Sequence, residues 1–323
     1  MSSARNRREF LEVGVGVGLG AWIASGLSWA REATAATASL GGGPGSSGKR
    51  IYLMTDLEGV AGVLDSENWC KPESRNYELA KEFLTREVNA AIEGFARGGA
   101  TEFLVADGHG PGAINPKLLD RRAQLARNWA PPPYPFSLEK GMDFAAWVGQ
   151  HAMSRTAYAH LAHTGSFSVF ETTINGKPAG EFAEVALCAS QLGVRTILGC
   201  GDLAFTKEAQ SLVPGIETVA VKHGTTPGAG DECDAEAYAK RNLAAIHYQP
   251  ERAREMIREG AERAIRRALA ETGFGIIPLK PPFEKKTVLR QQGGQPKKVG
   301  RSSHPDSVIG LMNAPMTYES LKE

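Results

Sequence analysis

Short apolar runs alternate with longer segments of helical period along most of the chain. Residues 50–55 form the first run, rich in Ile, Tyr, Leu and Met and ending on Asp56, as a buried parallel strand does. In residues 76–97 Leu79, Phe83, Val88, Ile92 and Phe95 recur at helical spacing, and Gly98-Gly99 supplies the stop. Residues 103–107 are a second apolar run, ending in Gly108-His109-Gly110. Strand, helix and strand in this order predict a βαβ unit with a parallel sheet and a right-handed crossover. The pattern continues with a helix over 181–192, a strand over 195–198, a helix over 206–212, a strand over 217–222, and helices over 235–247 and 251–271.

Residues 114–175 are less regular. Pro131-Pro132-Pro133 breaks them, a strand-like 144–148 precedes Gln150-His151, and a smaller α+β subdomain is expected there. Residues 280–301 are basic and poor in large apolar side chains, which predicts an exposed extension. The fold class is therefore α/β, a three-layer sandwich with a mainly parallel sheet plus a smaller α+β subdomain.

The first forty residues are different material. Asn6-Arg7-Arg8-Glu9-Phe10-Leu11 resembles a twin-arginine export motif, and a Gly-rich apolar run and Ala-x-Ala sites near residues 33–38 follow it. The run is too short and Gly-rich to cross a bilayer core, which takes about 20 apolar residues. The expected division is a signal at 1–38, a flexible Gly/Ser linker at 39–48, an α/β domain at 49–275 and a C-terminal extension at 276–323. The mature protein is expected in the periplasm or outside the cell, with no membrane attachment after cleavage.

With 37 basic and 36 acidic residues the net charge is +1, so no whole-molecule field points to nucleic acid. Cys70, Cys188, Cys200 and Cys233 show no CxxC spacing, which excludes a zinc knuckle and leaves the disulfide state open. Cys188 lies in a predicted helix and reads as core. No GxSxG elbow occurs, and Gly108-His109-Gly110-Pro111-Gly112 satisfies neither nucleotide-loop pattern.

In open parallel sheets ligands bind beyond the carboxyl ends of the strands, so polar residues just past the apolar runs are the candidates. Asp56 and Glu58 are expected on one face of extended backbone, where two carboxylates so close need a cation between them. His109 is flanked by glycines, His151 follows another apolar run, His163 and His160 follow it, and Glu181 opens a helix after a turn. This mixed nitrogen and oxygen set suits zinc, manganese or cobalt. Taken singly, Asp56 also fits a helix cap, Glu58 a solvated loop residue, Glu181 a dipole partner, and each histidine a structural role, with one of His160 and His163 exposed.

Together these segments resemble the zinc-dependent, DppA-type D-aminopeptidase family of the dipeptide-permease operon. Its SxDxEG motif appears as Met54-Thr55-Asp56-Leu57-Glu58-Gly59, its DSHG as Asp107 to Gly110, and its second metal histidine as Gly149-Gln150-His151-Ala152. Its HTxS element appears as His163 to Ser166 and its NGxxxGE as Asn175 to Glu181. The resemblance implies two zinc ions per subunit held by Asp56, Glu58, His109, His151 and Glu181, with Asp56 bridging and His163 catalytic. It also implies short peptide substrates with an N-terminal D-residue of the D-Ala type, and a ring-stacked homo-oligomer, a decamer in the fullest form. Met54 and Gly108 stand where the motifs carry Ser, and the export signal is unusual for the family. Alternative readings are an exported amidase or esterase, and a periplasmic peptide-binding protein without turnover.

Overall fold

The computed structural model describes residues 48–321, so the expected signal and nearly all of the expected linker lie outside the described residues. In chain order the elements are β1 (Lys49–Thr55), α1 (Ser66–Trp69), α2 (Tyr77–Arg97), β2 (Ala100–Asp107), β3 (Ala123–Ala126), β4 (Phe144–Gln150), β5 (Val169–Ile174), β6 (Lys177–Pro178), α3 (Glu181–Gln191), β7 (Arg195–Asp202), α4 (Leu203–Leu212), β8 (Glu217–Gly224), α5 (Ala235–Ala239), β9 (Ala245–His247), α6 (Pro250–Ala270), β10 (Phe283–Leu289), β11 (Lys298–His304), α7 (Val308–Asn313) and β12 (Tyr318–Ser320).

Seven strands form the main sheet in the order β3-β2-β1-β4-β7-β8-β9, parallel except for the edge strand β9. The chain winds from β1 outward through β2 and β3, then returns to the other side of β1 for β4, so the direction of winding reverses between β1 and β4. Such a reversal leaves a crevice beyond the strand ends, because the connections on either side of it diverge. β4 is buried along its whole length, as expected of a strand covered on both faces. On one face α2 and α6 pack together over the sheet, with Leu84, Val88, Ile92 and Phe95 in one core with Ile257 and Ile265. Burial of each such side chain contributes about 1.5–3 kcal/mol. The stripe is rotated from the expected one: Leu79 is exposed, and Tyr77 and Ala80 face inward.

The second sheet is antiparallel, in the order β12-β11-β10-β5-β6. It corrects the expectation for residues 280–301. They are not an exposed extension: β10 pairs with β5 and β11 with β10, and Phe283, Val288 and Val299 are buried. Buried side chains are interspersed among the lysines, and Lys285 itself pairs with buried Glu184, so a stretch polar in composition still contributes to the core. The described residues form one compact unit, in which β3 and β4 of the irregular 114–175 stretch join the main sheet and β5 the smaller antiparallel one.

The expected helix over 235–247 is also corrected. Helix α5 ends at Ala239, and residues 245–247 pair with β8. Asn242 and Ala244 carbonyls accept from Leu161 and Thr225, so long-range backbone bonding outweighs helical propensity here. Among the described residues no helix is long and apolar enough to cross a membrane, and all four cysteines are unpaired. Cys188 is buried in a cluster with Ile174, Phe283 and Leu311, the core role expected of it.

Candidate metal centre

The crevice at the switch point collects the expected residues. Asp56 follows β1, His109 follows β2 and His151 follows β4, the three adjacent strands around the reversal. Glu58 does not continue an extended strand, as the spacing suggested. Val60 N–H donates to the Leu57 carbonyl and Gly59 N–H to that of Gly149 at 2.7 Å, so the chain turns back against the end of β4. Gly149 makes this approach feasible: its φ is +78°, and a Cβ there would lie 2.1 Å from the Asp56 carbonyl oxygen. Glu181 enters from the other side as the first residue of α3, and Gly165 N–H donates to its Oε1 at 2.6 Å.

Each imidazole is oriented by a backbone carbonyl. His109 Nε2 lies 2.9 Å from the Cys70 oxygen, His151 Nδ1 2.9 Å from that of Ala152, and His163 Nδ1 2.8 Å from that of Leu161. A carbonyl only accepts, so each of these nitrogens carries the proton and the other presents a lone pair. Those lone pairs meet carboxylates. His109 Nδ1 is 3.3 Å from Asp56 Oδ1 and 3.1 Å from Glu58 Oε2, and His151 Nε2 is 3.1 Å from Asp56 Oδ2 and 3.4 Å from Glu181 Oε1. His163 stacks on His151 at 3.9 Å between ring centroids, with Nε2 3.8 Å from Glu181 Oε1.

Lone pairs and anionic oxygens converging in a buried space repel unless protons or cations lie between them. Burial works against charge on Asp56, Glu181, His109 and His151, yet neighbours override it. His151 and His109 hold Asp56 well below the usual carboxylate range, and His151 holds Glu181 low. Glu58 and Asp56 raise His109 to about 11, and Glu181 and Asp56 push His151 well above the ordinary imidazole value. The polypeptide alone thus draws protons into the places a metal fills. Glu58 Oε2 and His151 Nε2, both buried, have no hydrogen-bond partner.

Donor atoms fall into two groups within 4.8 Å, Asp56 with Glu58 and His109, and His151 with His163 and Glu181. Asp56 directs one oxygen toward each. Carboxylate oxygens plus imidazole nitrogens whose opposite N–H is held by a carbonyl are the donor set and outer support of zinc-type sites, so these residues fit divalent metal. His160, the expected alternative to His163, is not exposed and lies outside the centre: it is fully buried and bonded through Nε2 to the Leu64 carbonyl.

Several supporting residues carried no signal in the sequence. Arg127 on the segment after β3 donates to the carbonyls of Asp107 at 2.6 Å, His109 at 2.7 Å and Gly110, clasping the loop that carries His109. Asp107 accepts from Ala113 and Ile114 N–H and closes the same loop. Glu208 on α4 accepts from Met153 N–H, and burial raises its carboxyl to about 7. Gln150 donates to Asp56 Oδ2 at 3.1 Å, and its place beside His151 at a strand end was a usable hint.

Above the centre lies a cavity of about 340 Å³. A parallel α/β sheet with a buried carboxylate and imidazole centre beneath such a cavity defines a metal-dependent hydrolase. The D-aminopeptidase family model matches residues 49–293, and the chain belongs to that family of metal-dependent aminopeptidases. A curated D-aminopeptidase of Bacillus subtilis (strain 168) is 31% identical over 198 residues, 60% of this chain and 70% of that protein. A solved structure, described as the Zn-dependent D-aminopeptidase DppA from Bacillus subtilis, a self-compartmentalizing protease, superposes with a TM-score of 0.66. It is 22% identical, and the match covers 81% of this chain and 94% of that one.

Proposed function

We propose that this protein hydrolyses short peptides from an N-terminal D-residue, of the D-Ala type, at a site holding two zinc ions. The observation that carries the reading is the convergence of three imidazoles on buried Asp56 and Glu58 and half-buried Glu181, with Asp56 facing both groups. Asp56, Glu58 and His109 would hold one ion, and His151 and Glu181, with Asp56 shared, the other. Bound zinc supplies Lewis acidity, polarising a peptide carbonyl and acidifying water at neutral pH.

The chain's own groups do the rest. His163, tied through Nδ1 to Leu161, presents Nε2 to the cavity beside Glu181, placed to take a proton from attacking water and return it to the leaving amine. Gly165 N–H fixes Glu181 Oε1, and Gln150 fixes Asp56 Oδ2, so neither carboxylate needs to reorient during reaction. Assembly into a homo-oligomer, in its fullest form a ring-stacked decamer, and export by the twin-arginine route to the periplasm belong to the same proposal. The superposed DppA, described as self-compartmentalizing, supports the first, and Arg7-Arg8 with its apolar run the second.

The test is D-alanine release from D-Ala-D-Ala and D-Ala-p-nitroanilide by the mature protein, with and without zinc. Metal-dependent release by wild type and none by Asp56→Ala is expected. Release by metal-free protein, or none from a folded, zinc-loaded sample, would overturn the reading.

A further inference from the structure

The cavity has a second wall that the metal centre does not use. Met54 stands near the end of β1, two residues before Asp56, and both line the cavity. Met54 is 6% exposed. Its space is cleared by Gly108: a Cβ built there would fall 2.6 Å from Met54 Sδ and 2.7 Å from the Thr55 carbonyl oxygen. Gly108 therefore admits the thioether next to His109, and Met54 together with Gly108 replaces hydroxyl-sized side chains by one long apolar one. Val185, one turn past Glu181 on α3, continues this surface, and Tyr134 and Phe136, with ring centroids 4.4 Å apart, close it.

One carboxylate, Glu184, lines the same end, but both its oxygens are taken. The Tyr134 hydroxyl donates to Oε2, and Lys285 Nζ from β10 lies 2.5 Å from Oε1. Burial and Glu184 keep the Tyr134 hydroxyl well above its ordinary pKa, so it stays a neutral donor. Of the groups at this end, no charge is left uncompensated for a substrate amine or carboxylate to meet.

We infer that Met54, Val185, Tyr134 and Phe136 form a specificity subsite that takes an apolar side chain larger than methyl, carried by the residue whose carbonyl is attacked. The inference rests on the reading of the cavity as a D-aminopeptidase site and sharpens it: D-Ala peptides are cleaved, and residues with larger apolar side chains are cleaved faster. Met54 and Gly108 adjoin Asp56 and His109 directly, and the side chain nearest the reacting carbonyl is the one on its own Cα, two bonds away, whereas that of the leaving residue is three bonds away. A methyl group would leave this wall unfilled, and soft, unbranched Met adapts to larger aliphatic groups. Apolar pockets discriminate by about 10–200-fold per missing methylene.

The experiment compares D-Leu-p-nitroanilide with D-Ala-p-nitroanilide on the zinc-loaded mature protein, and in parallel titrates D-leucine and D-alanine calorimetrically as products. We expect a kcat/KM ratio favouring D-Leu by about tenfold or more, tighter binding of D-leucine, retention of both preferences in Met54→Leu, and collapse of both toward unity in Met54→Ser. A wild-type ratio near one, or a ratio unmoved by Met54→Ser at unchanged zinc content, overturns the inference. If only L-anilides are cleaved, the stereochemical part of the proposed function fails and the ratio is read in the L series. If neither series is cleaved, the peptidase reading fails, and the product titrations alone decide the subsite: equal affinities overturn it and tighter leucine binding supports it.

Discussion

Two buried ionisable clusters lie close together in this molecule, and they respond to burial in opposite ways. In the metal centre every resolved shift runs toward charge: carboxyls Asp56 and Glu181 are lowered, and imidazoles His109 and His151 are raised. In the second cluster, around Lys222, every shift runs toward neutrality. Burial raises Glu87 to about 8 and Asp202 above its usual range, and lowers Lys222 to about 8. Burial first, with Lys222 adding to it, lowers His160 to about 2 and His247 to about 4. Anions and lone pairs that face one another without a resident cation bind whatever cation is supplied, whereas a cluster with its own lysine relaxes toward the uncharged state. One is a binding site and the other is a part of the core.

The largest expected effect breaks the first cluster at its centre. Asp56→Ala should lower D-aminopeptidase turnover by at least about 10²–10³-fold and reduce bound zinc, read by kinetics and elemental analysis. Retention of both ions would overturn the proposed bridging role of Asp56. Next comes His163→Gln, expected to lower kcat by about 10²–10⁴-fold while zinc content stays at the wild-type level. Loss of zinc instead would make His163 a ligand, which its grouping with His151 and Glu181 also permits. Arg127→Met should weaken zinc affinity by about 10–100-fold through the loosened 107–110 loop, measured by chelator competition.

The smallest effect concerns the second cluster. Glu87 has a folded pKa raised from 4.5 to about 8, so the folded state binds the extra proton between those values and stability falls as pH rises across them. Lys222 is lowered from 10.5 to about 8, so stability rises with pH across that window. Other shifted groups such as His109 and His160 overlap these windows, so each limb is read in denaturant titrations of the metal-free protein as the difference between wild type and a variant, and is no steeper than about 1.4 kcal/mol per pH unit for one group. Glu87→Gln keeps an acceptor for Ala61 N–H and should flatten the acid limb only. An acid limb unchanged in that variant would place the titration elsewhere.

Much of the centre is legible in the sequence. Asp56, Glu58, His109, His151, His163 and Glu181 each follow a recognisable strand end or turn, and all six meet in one crevice. Residues that support them from a distance were not legible, because nothing local distinguishes them. Arg127 is an ordinary arginine until its guanidinium closes on three carbonyls, and Lys285 lies in a stretch whose composition suggested solvent exposure. The helix predicted over 235–247 failed for the same reason: the competing partner, β8, is remote in sequence.

Sequence alone determined the alternation of strands and helices, and with it the parallel α/β sheet, because hydrophobic periodicity is set by local backbone geometry. It also determined the identity of the candidate ligands. Only the tertiary structure decided that winding reverses between β1 and β4, that residues 283–304 complete a second sheet, and that Gly108 makes room for Met54. Those outcomes depend on which distant segments pack against each other, a matter of long-range pairing and buried charge that no window of neighbouring residues contains.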